Sequence, residues 1–170
     1  SLWAELVPHL KAANPKQAVQ LTQASPSFIG SILNYGLARI SSSRSRDDIE
    51  KAMEESLMEV MPKLERRTPY LASFANIATL LGLLGTIIGL IQAFQAVGAA
   101  NPSDKADLLS ASISVAMNTT AFGLIVAIPL LLVHSVIQSK TTQLIDSLEM
   151  ASVKFLNSIT ERSAAAAQQG

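Results

Sequence analysis

Cysteine is absent from the chain, and charged residues make up only 15% of it. Without cysteine, the chain can form neither a disulfide framework nor a thiolate metal site nor a dithiol redox couple. The two histidines, His9 and His134, lie far apart and share no ligand spacing with other residues, which argues against a metal centre. We therefore expect no metal and no cofactor.

The charges that are present balance, with 13 Lys and Arg residues against 13 Asp and Glu residues. No basic face with interleaved aromatic residues stands out, so we expect no nucleic-acid partner. Globular proteins usually contain about 25% charged residues, and a content well below that is typical of a chain that exposes part of its surface to lipid.

Two stretches, residues 71–97 and 108–133, lack Asp, Glu, Lys and Arg altogether. As a helix, either stretch is long enough to cross a bilayer core of roughly 30 Å. We therefore predict two transmembrane helices joined by a short polar hairpin at residues 98–107. The alternative is a buried helical hairpin of a soluble protein, but soluble core helices are seldom this long without a charge.

These stretches divide the chain into three predicted parts: a cytoplasmic helical segment at 1–67, a transmembrane hairpin at 68–138, and a helix extension with a tail at 139–170. An amphipathic pattern begins near Asp47, and we expect one long helix from there to about Val97, kinked at Pro62 and Pro69. A further long helix should run from about Ser103 to about Arg162, followed by a frayed tail. The predicted fold is thus an all-α membrane protein whose long kinked helices extend into a cytoplasmic domain.

Basic residues near the membrane ends predict the orientation. Arg66 and Arg67 precede the first span and Lys140 follows the second, whereas the hairpin between the spans carries only Lys105 beside two aspartates. By the positive-inside rule, both soluble ends are expected in the cytoplasm and the 98–107 hairpin outside it.

Small and weakly polar residues take the place of charges within the spans. In the first span they recur at spacings of three and four, at Thr79, Gly82, Thr86, Gly89 and Ala93, and Gly85 pairs with Gly89 in a small-xxx-small pattern. Such residues are the usual materials of close helix packing in membranes. They could equally form a weakly polar lining, so the pattern alone leaves both interpretations open.

In the second span, Ser110, Ser114 and Asn118 form one line at i, i+4 spacing, and Thr120 points to nearly the opposite side. One side could face a pore and the other a neighbouring subunit. Ser and Thr hydroxyls can bond to carbonyls of their own helix. The Asn118 amide, in contrast, needs partners in apolar surroundings.

Two motifs, one in each span, carry a resemblance to a known family. They are LLGLLGTIIGL at Leu80 to Leu90 and NTTAFGLIVAIPLLL at Asn118 to Leu132. Together they resemble the MotA/TolQ/ExbB proton-channel family, and they are closer to the TolQ/ExbB branch than to flagellar MotA. The resemblance implies that the protein is not an enzyme. It implies instead a channel and stator subunit of a bacterial inner-membrane motor, which couples proton flow to work on the cell envelope in TonB/Tol-like energisation or gliding motility.

The resemblance also implies an assembly and a site. Five such subunits would surround two copies of a single-span partner of the TolR/ExbD/MotB type, whose helix supplies the titratable Asp. Thr86 and Thr120 match the pore-lining threonines of the family, and Pro129 matches the proline that bends the last span. The candidate residues are therefore Thr86, Asn118, Thr119 and Thr120 for the ion path, and Gly82, Gly85, Gly89 and Pro129 for helix packing or a hinge. Protons are expected, although the cluster around Asn118 and Thr120 could coordinate Na⁺.

Two features depart from the TolQ/ExbB pattern. Val115 stands where that pattern commonly has a Glu. The family also has an additional membrane helix before the cytoplasmic segment, and we expect it to precede Ser1. The alternative from another functional class is a structural membrane scaffold, in which the Gly and Thr residues only pack helices.

Overall fold

The computed structural model describes residues 2–11, 14–42 and 45–168. These residues form six α-helices: α1 (Leu2–Lys11), α2 (Pro15–Ala24), α3 (Phe28–Ser42), α4 (Arg46–Glu65), α5 (Thr68–Ala99) and α6 (Lys105–Ala167). All the regular secondary structure in these ranges is helical, which confirms the predicted all-α class. The chain divides into two compact units, Ser1–Glu65 with Thr141–Gly170, and Arg66–Lys140.

The first unit has its own apolar core, to which α1 to α4 and the last part of α6 contribute. Its most deeply buried large side chains are Leu6, Ile32, Leu33, Ile49, Met53 and Phe155. Gly36 on α3 lies directly against this core, because a Cβ there would come within 2.8 Å of Met53 Sδ and 2.9 Å of Phe155 Cε1. The unit is therefore packed as a conventional helical domain.

A turn at Arg66 and Arg67 separates α4 from α5, where the sequence predicted one continuous bent helix. Pro69 supplies the physical reason. It has no N–H to donate to the Glu65 carbonyl, and its ring would crowd that carbonyl in a continuing helix. As an early residue of α5, Pro69 instead occupies a position where proline is well tolerated. Pro62, in contrast, lies inside α4.

α6 continues without interruption through Pro129 and ends at Ala167. The sequence predicted a frayed tail from Ser163, but the alanines at 164–167 extend the helix because alanine has the highest helix propensity. The rest of that predicted tail includes Gln169 and Gly170, which lie outside the described residues. A bend of the span at Pro129 stays a prediction.

The second unit is an antiparallel hairpin of α5 and the first half of α6. Both helices carry segments long and apolar enough to cross a membrane, and only 11% of each apolar segment is buried inside the subunit. Large apolar side chains point outward, including Leu80 at 62% and Phe122 at 68% exposure. A core helix of a soluble protein would be mostly buried, so this surface favours a membrane hairpin over the soluble alternative.

Candidate functional site

Small residues line the contact between α5 and α6. The buried ones are Ala75, Gly82 and Ala93 on α5 and Ala116, Gly123 and Ala127 on α6. Spacings of four, seven and eleven residues place each set on one face of its helix. We call this contact the small-residue seam.

The two backbones touch at the middle of the seam. A Cβ at Gly123 would lie 2.7 Å from the Ala78 carbonyl oxygen and 2.9 Å from Gly82 Cα. A Cβ at Gly89 would lie 2.6 Å from Ala116 Cβ. Such close approach is possible only with glycine, as in small-xxx-small helix pairs.

Beside this contact, Thr86 of α5 and Thr120 of α6 form a hydrogen bond between their hydroxyls. Thr120 Oγ1 also lies 3.2 Å from the Gly82 carbonyl oxygen, as a donor. Thr86 Oγ1 lies 3.3 Å from the same carbonyl oxygen and 3.4 Å from that of Ala116. Both side chains are half-buried. We call Thr86 and Thr120 the threonine pair.

The threonine pair concentrates oxygen atoms in otherwise apolar surroundings. Each hydroxyl has one hydrogen but two lone pairs, and the neighbouring carbonyls add further acceptors. Lone pairs of this kind can accept a hydrogen bond from a water or a hydronium, or coordinate a small cation. The cluster itself carries no charge.

The other two ion-path candidates lie differently. Thr119 is exposed, its Oγ1 donates to the Val115 carbonyl oxygen at 3.3 Å, and its methyl group faces Gly85. Asn118 is also exposed and lies across α6 from Thr120. The structure thus brings Thr86 and Thr120 together and separates Asn118 from them.

The remaining candidates divide in the same way. Gly82, Gly85 and Gly89 lie at the contact with α6. Pro129 is exposed and lies away from that contact. In the part of the chain that the structure describes, no three His, Cys, Asp or Glu side chains form a group that could hold a metal ion.

Two features of the hairpin did not emerge from the sequence. Gly123 is the α6 residue that contacts Gly82. The one sequence feature that indicates its position on the α5-facing side of α6 is its spacing from Ala116 and Ala127. His134 Nδ1 lies 3.0 Å from the Thr68 carbonyl oxygen. No sequence signal announced that contact, because its partner is a backbone atom.

Two apolar helices in an antiparallel hairpin, with a threonine pair at their contact, are typical of an all-helical membrane protein. The model of the MotA/TolQ/ExbB proton channel family matches residues 24–150. The chain therefore belongs to this family, as its motifs predicted, and membership supports a general channel role. No curated protein matches the chain significantly. The assignment to the TolQ/ExbB branch stays a prediction.

Proposed function

We propose that this chain is the channel and stator subunit of an inner-membrane motor that couples proton flow to mechanical work on the cell envelope, as in TonB/Tol-like energisation or gliding motility. The observation that carries the proposal is the threonine pair. Two hydroxyls meet beside the Gly82 and Ala116 carbonyls within an apolar hairpin of a proton channel family member. Uncharged oxygen atoms there suit the brief passage of a proton better than its storage.

The charge that drives such a motor must come from a second protein. Proton relays within a bilayer normally use a titratable side chain, and neither span of this chain has a carboxylate. Val115, at the place of the Glu common in the TolQ/ExbB pattern, is an exposed apolar side chain. We therefore propose that a single-span partner of the TolR/ExbD type supplies the Asp.

The exposed face of α6 supports an assembly of several subunits. Ser110, Ser114 and Asn118 are all exposed on the subunit. An Asn amide that faces hydrocarbon without a hydrogen-bond partner is costly, whereas polar side chains bond across helices in membrane assemblies. We propose that five subunits surround two partner chains and that this face contacts a neighbouring chain.

Native mass spectrometry of the detergent-solubilised protein tests the proposal directly. The chain is produced with and without a TolR/ExbD-type protein from the same organism. The expected result is a pentamer in both samples, with two partner chains added in the second. A monomer or dimer that is indifferent to the partner would contradict the motor and leave the scaffold as the better hypothesis.

One observation favours the scaffold and keeps it as the second candidate. The hydroxyls of Thr86 and Thr120 are hydrogen-bonded within the hairpin itself. Interhelical hydrogen bonds of this kind also stabilise membrane helix pairs that conduct nothing. Replacing the two hydroxyls while keeping the side-chain volumes separates these functions.

We further propose that both soluble ends are cytoplasmic and that the 98–107 hairpin is periplasmic. Since the chain has no cysteine, a single cysteine reports its own location without background labelling. In intact cells, a membrane-impermeant maleimide should label Asn101→Cys, and it should label Ser163→Cys only after lysis. The reverse labelling pattern would contradict this orientation.

A further inference from the structure

His134 is an ionisable group that the proposed mechanism does not use. Between residues 68 and 103 and between 108 and 139, the sequence contains no Asp, Glu, Lys or Arg. Apart from the Tyr70 phenol, His134 is the one titratable side chain in these two stretches. It lies at the end of the hairpin opposite the 98–107 turn. Imidazole is the side chain that takes up and releases protons near neutral pH.

The contact with Thr68 implies which ring nitrogen carries the hydrogen. His134 Nδ1 lies 3.0 Å from the Thr68 carbonyl oxygen, which can only accept. Nδ1 must therefore be the donor, and in the neutral ring Nε2 is then left with its lone pair. Protonation at Nε2 keeps the bond to Thr68 and makes it charge-assisted. The ring can thus exchange a proton without losing its anchor.

His134 also lies in line with the threonine pair. Five residues of α6 share the face that meets α5, because they follow one another at spacings of four, three, four and seven residues. They are Ala116, Thr120, Gly123, Ala127 and His134. At 1.5 Å per residue, His134 lies roughly 21 Å along the helix from Thr120. The side chain is half-buried at this position.

We propose that His134 is a proton-binding site at this end of the hairpin. A hydronium at this end of the hairpin gives its proton to Nε2: its O–H bond breaks as the N–H bond forms and a water molecule is left. The N–H bond breaks in turn when the proton leaves to another water molecule. This inference rests on the proposed channel function. The other ionisable side chains at this end of the unit are Arg66, Arg67, Tyr70 and Lys140, and all four are exposed to solvent.

His134→Asn separates proton binding from anchoring. An Asn amide N–H can reach the Thr68 carbonyl from nearly the position of Nδ1, but it does not titrate. His134→Ala removes both properties. The matched control is His9→Asn, which removes the other histidine of the chain, in the first unit.

The assay is proton uptake into vesicles that contain the full chain and its TolR/ExbD-type partner, under an imposed membrane potential. We expect His134→Asn to assemble normally and to lower the proton flux at least tenfold. Positioned proton-transfer groups contribute ~10²–10⁴-fold in enzymes, so tenfold is a conservative minimum. The pH dependence of the flux should also flatten, because the Asn side chain binds no proton. His9→Asn should keep the flux and the pH profile of the wild type.

A second measurement is independent of conduction. In NMR spectra of histidine-labelled protein, the signal that disappears in His134→Asn should show an Nδ1–H tautomer that titrates with pH. A signal that does not titrate, or a wild-type flux and pH profile in His134→Asn, would overturn the role of His134 alone. Wild-type vesicles that pass no protons would instead overturn the proposed function, and the role of His134 with it.

Discussion

Replacement of both Thr86 and Thr120 with valine is expected to lower proton flow through the assembled complex sharply while the hairpin stays folded. Valine nearly conserves the volume of threonine and replaces the hydroxyl with a methyl group. The variant therefore loses the two hydroxyl oxygens that meet between the helices. Moving a polar group from water into apolar surroundings without a hydrogen-bond partner costs about 1–3 kcal/mol by mutational estimates. Removal of both hydroxyls therefore corresponds to about 2–6 kcal/mol and should lower the flux by a factor of roughly 30 to 10⁴, at 1.4 kcal/mol per factor of ten.

Thr79→Val is the matched control for this variant. The Thr79 hydroxyl donates to the Ala75 carbonyl oxygen of its own helix at 3.1 Å, two helical turns from Thr86. It makes no bond to α6, so its removal should leave the flux unchanged. Proton uptake into vesicles that also contain the partner protein compares the wild type, the double valine variant and Thr79→Val. If the double variant assembles and conducts like the wild type, the threonine pair only packs helices and the scaffold hypothesis gains support.

Gly123→Ala is expected to destabilise the hairpin strongly. The added Cβ would lie 2.7 Å from the Ala78 carbonyl oxygen and 2.9 Å from Gly82 Cα. Both neighbours are backbone atoms, so no side chain can rotate away and the helices must move apart. Overpacking of this kind typically costs about 1–3 kcal/mol, and we expect the upper end of that range.

Thermal unfolding of the purified protein, followed by circular dichroism and by loss of the assembled species, measures the effect. The control is Gly98→Ala, because a Cβ at Gly98 meets no atom within 4 Å. That substitution should leave the midpoint unchanged or raise it slightly, since alanine favours the helix over glycine. Equal midpoints for Gly123→Ala and the wild type would show that α5 and α6 do not touch through their backbones.

Several properties of this protein are readable from the sequence for a simple reason. Charges are costly in hydrocarbon, so the two uncharged runs mark the apolar helices by composition alone. The paired motifs around Thr86 and Thr120 predict the family to which the chain belongs. The break at Arg66 and Arg67 is not predicted, because a proline in an apolar pattern is compatible both with a kink and with the start of a new helix.

The sequence by itself determined the all-helical class, the apolar segments and the family. These follow from composition, periodicity and local motifs, which act within one helix at a time. Only the tertiary structure decided that Gly123 meets Gly82, that Thr86 bonds to Thr120, and that His134 bonds to the Thr68 carbonyl. Helices that carry small residues on several faces can pair in more than one register. The register is selected by how closely the two backbones can approach, and that fit belongs to both helices together.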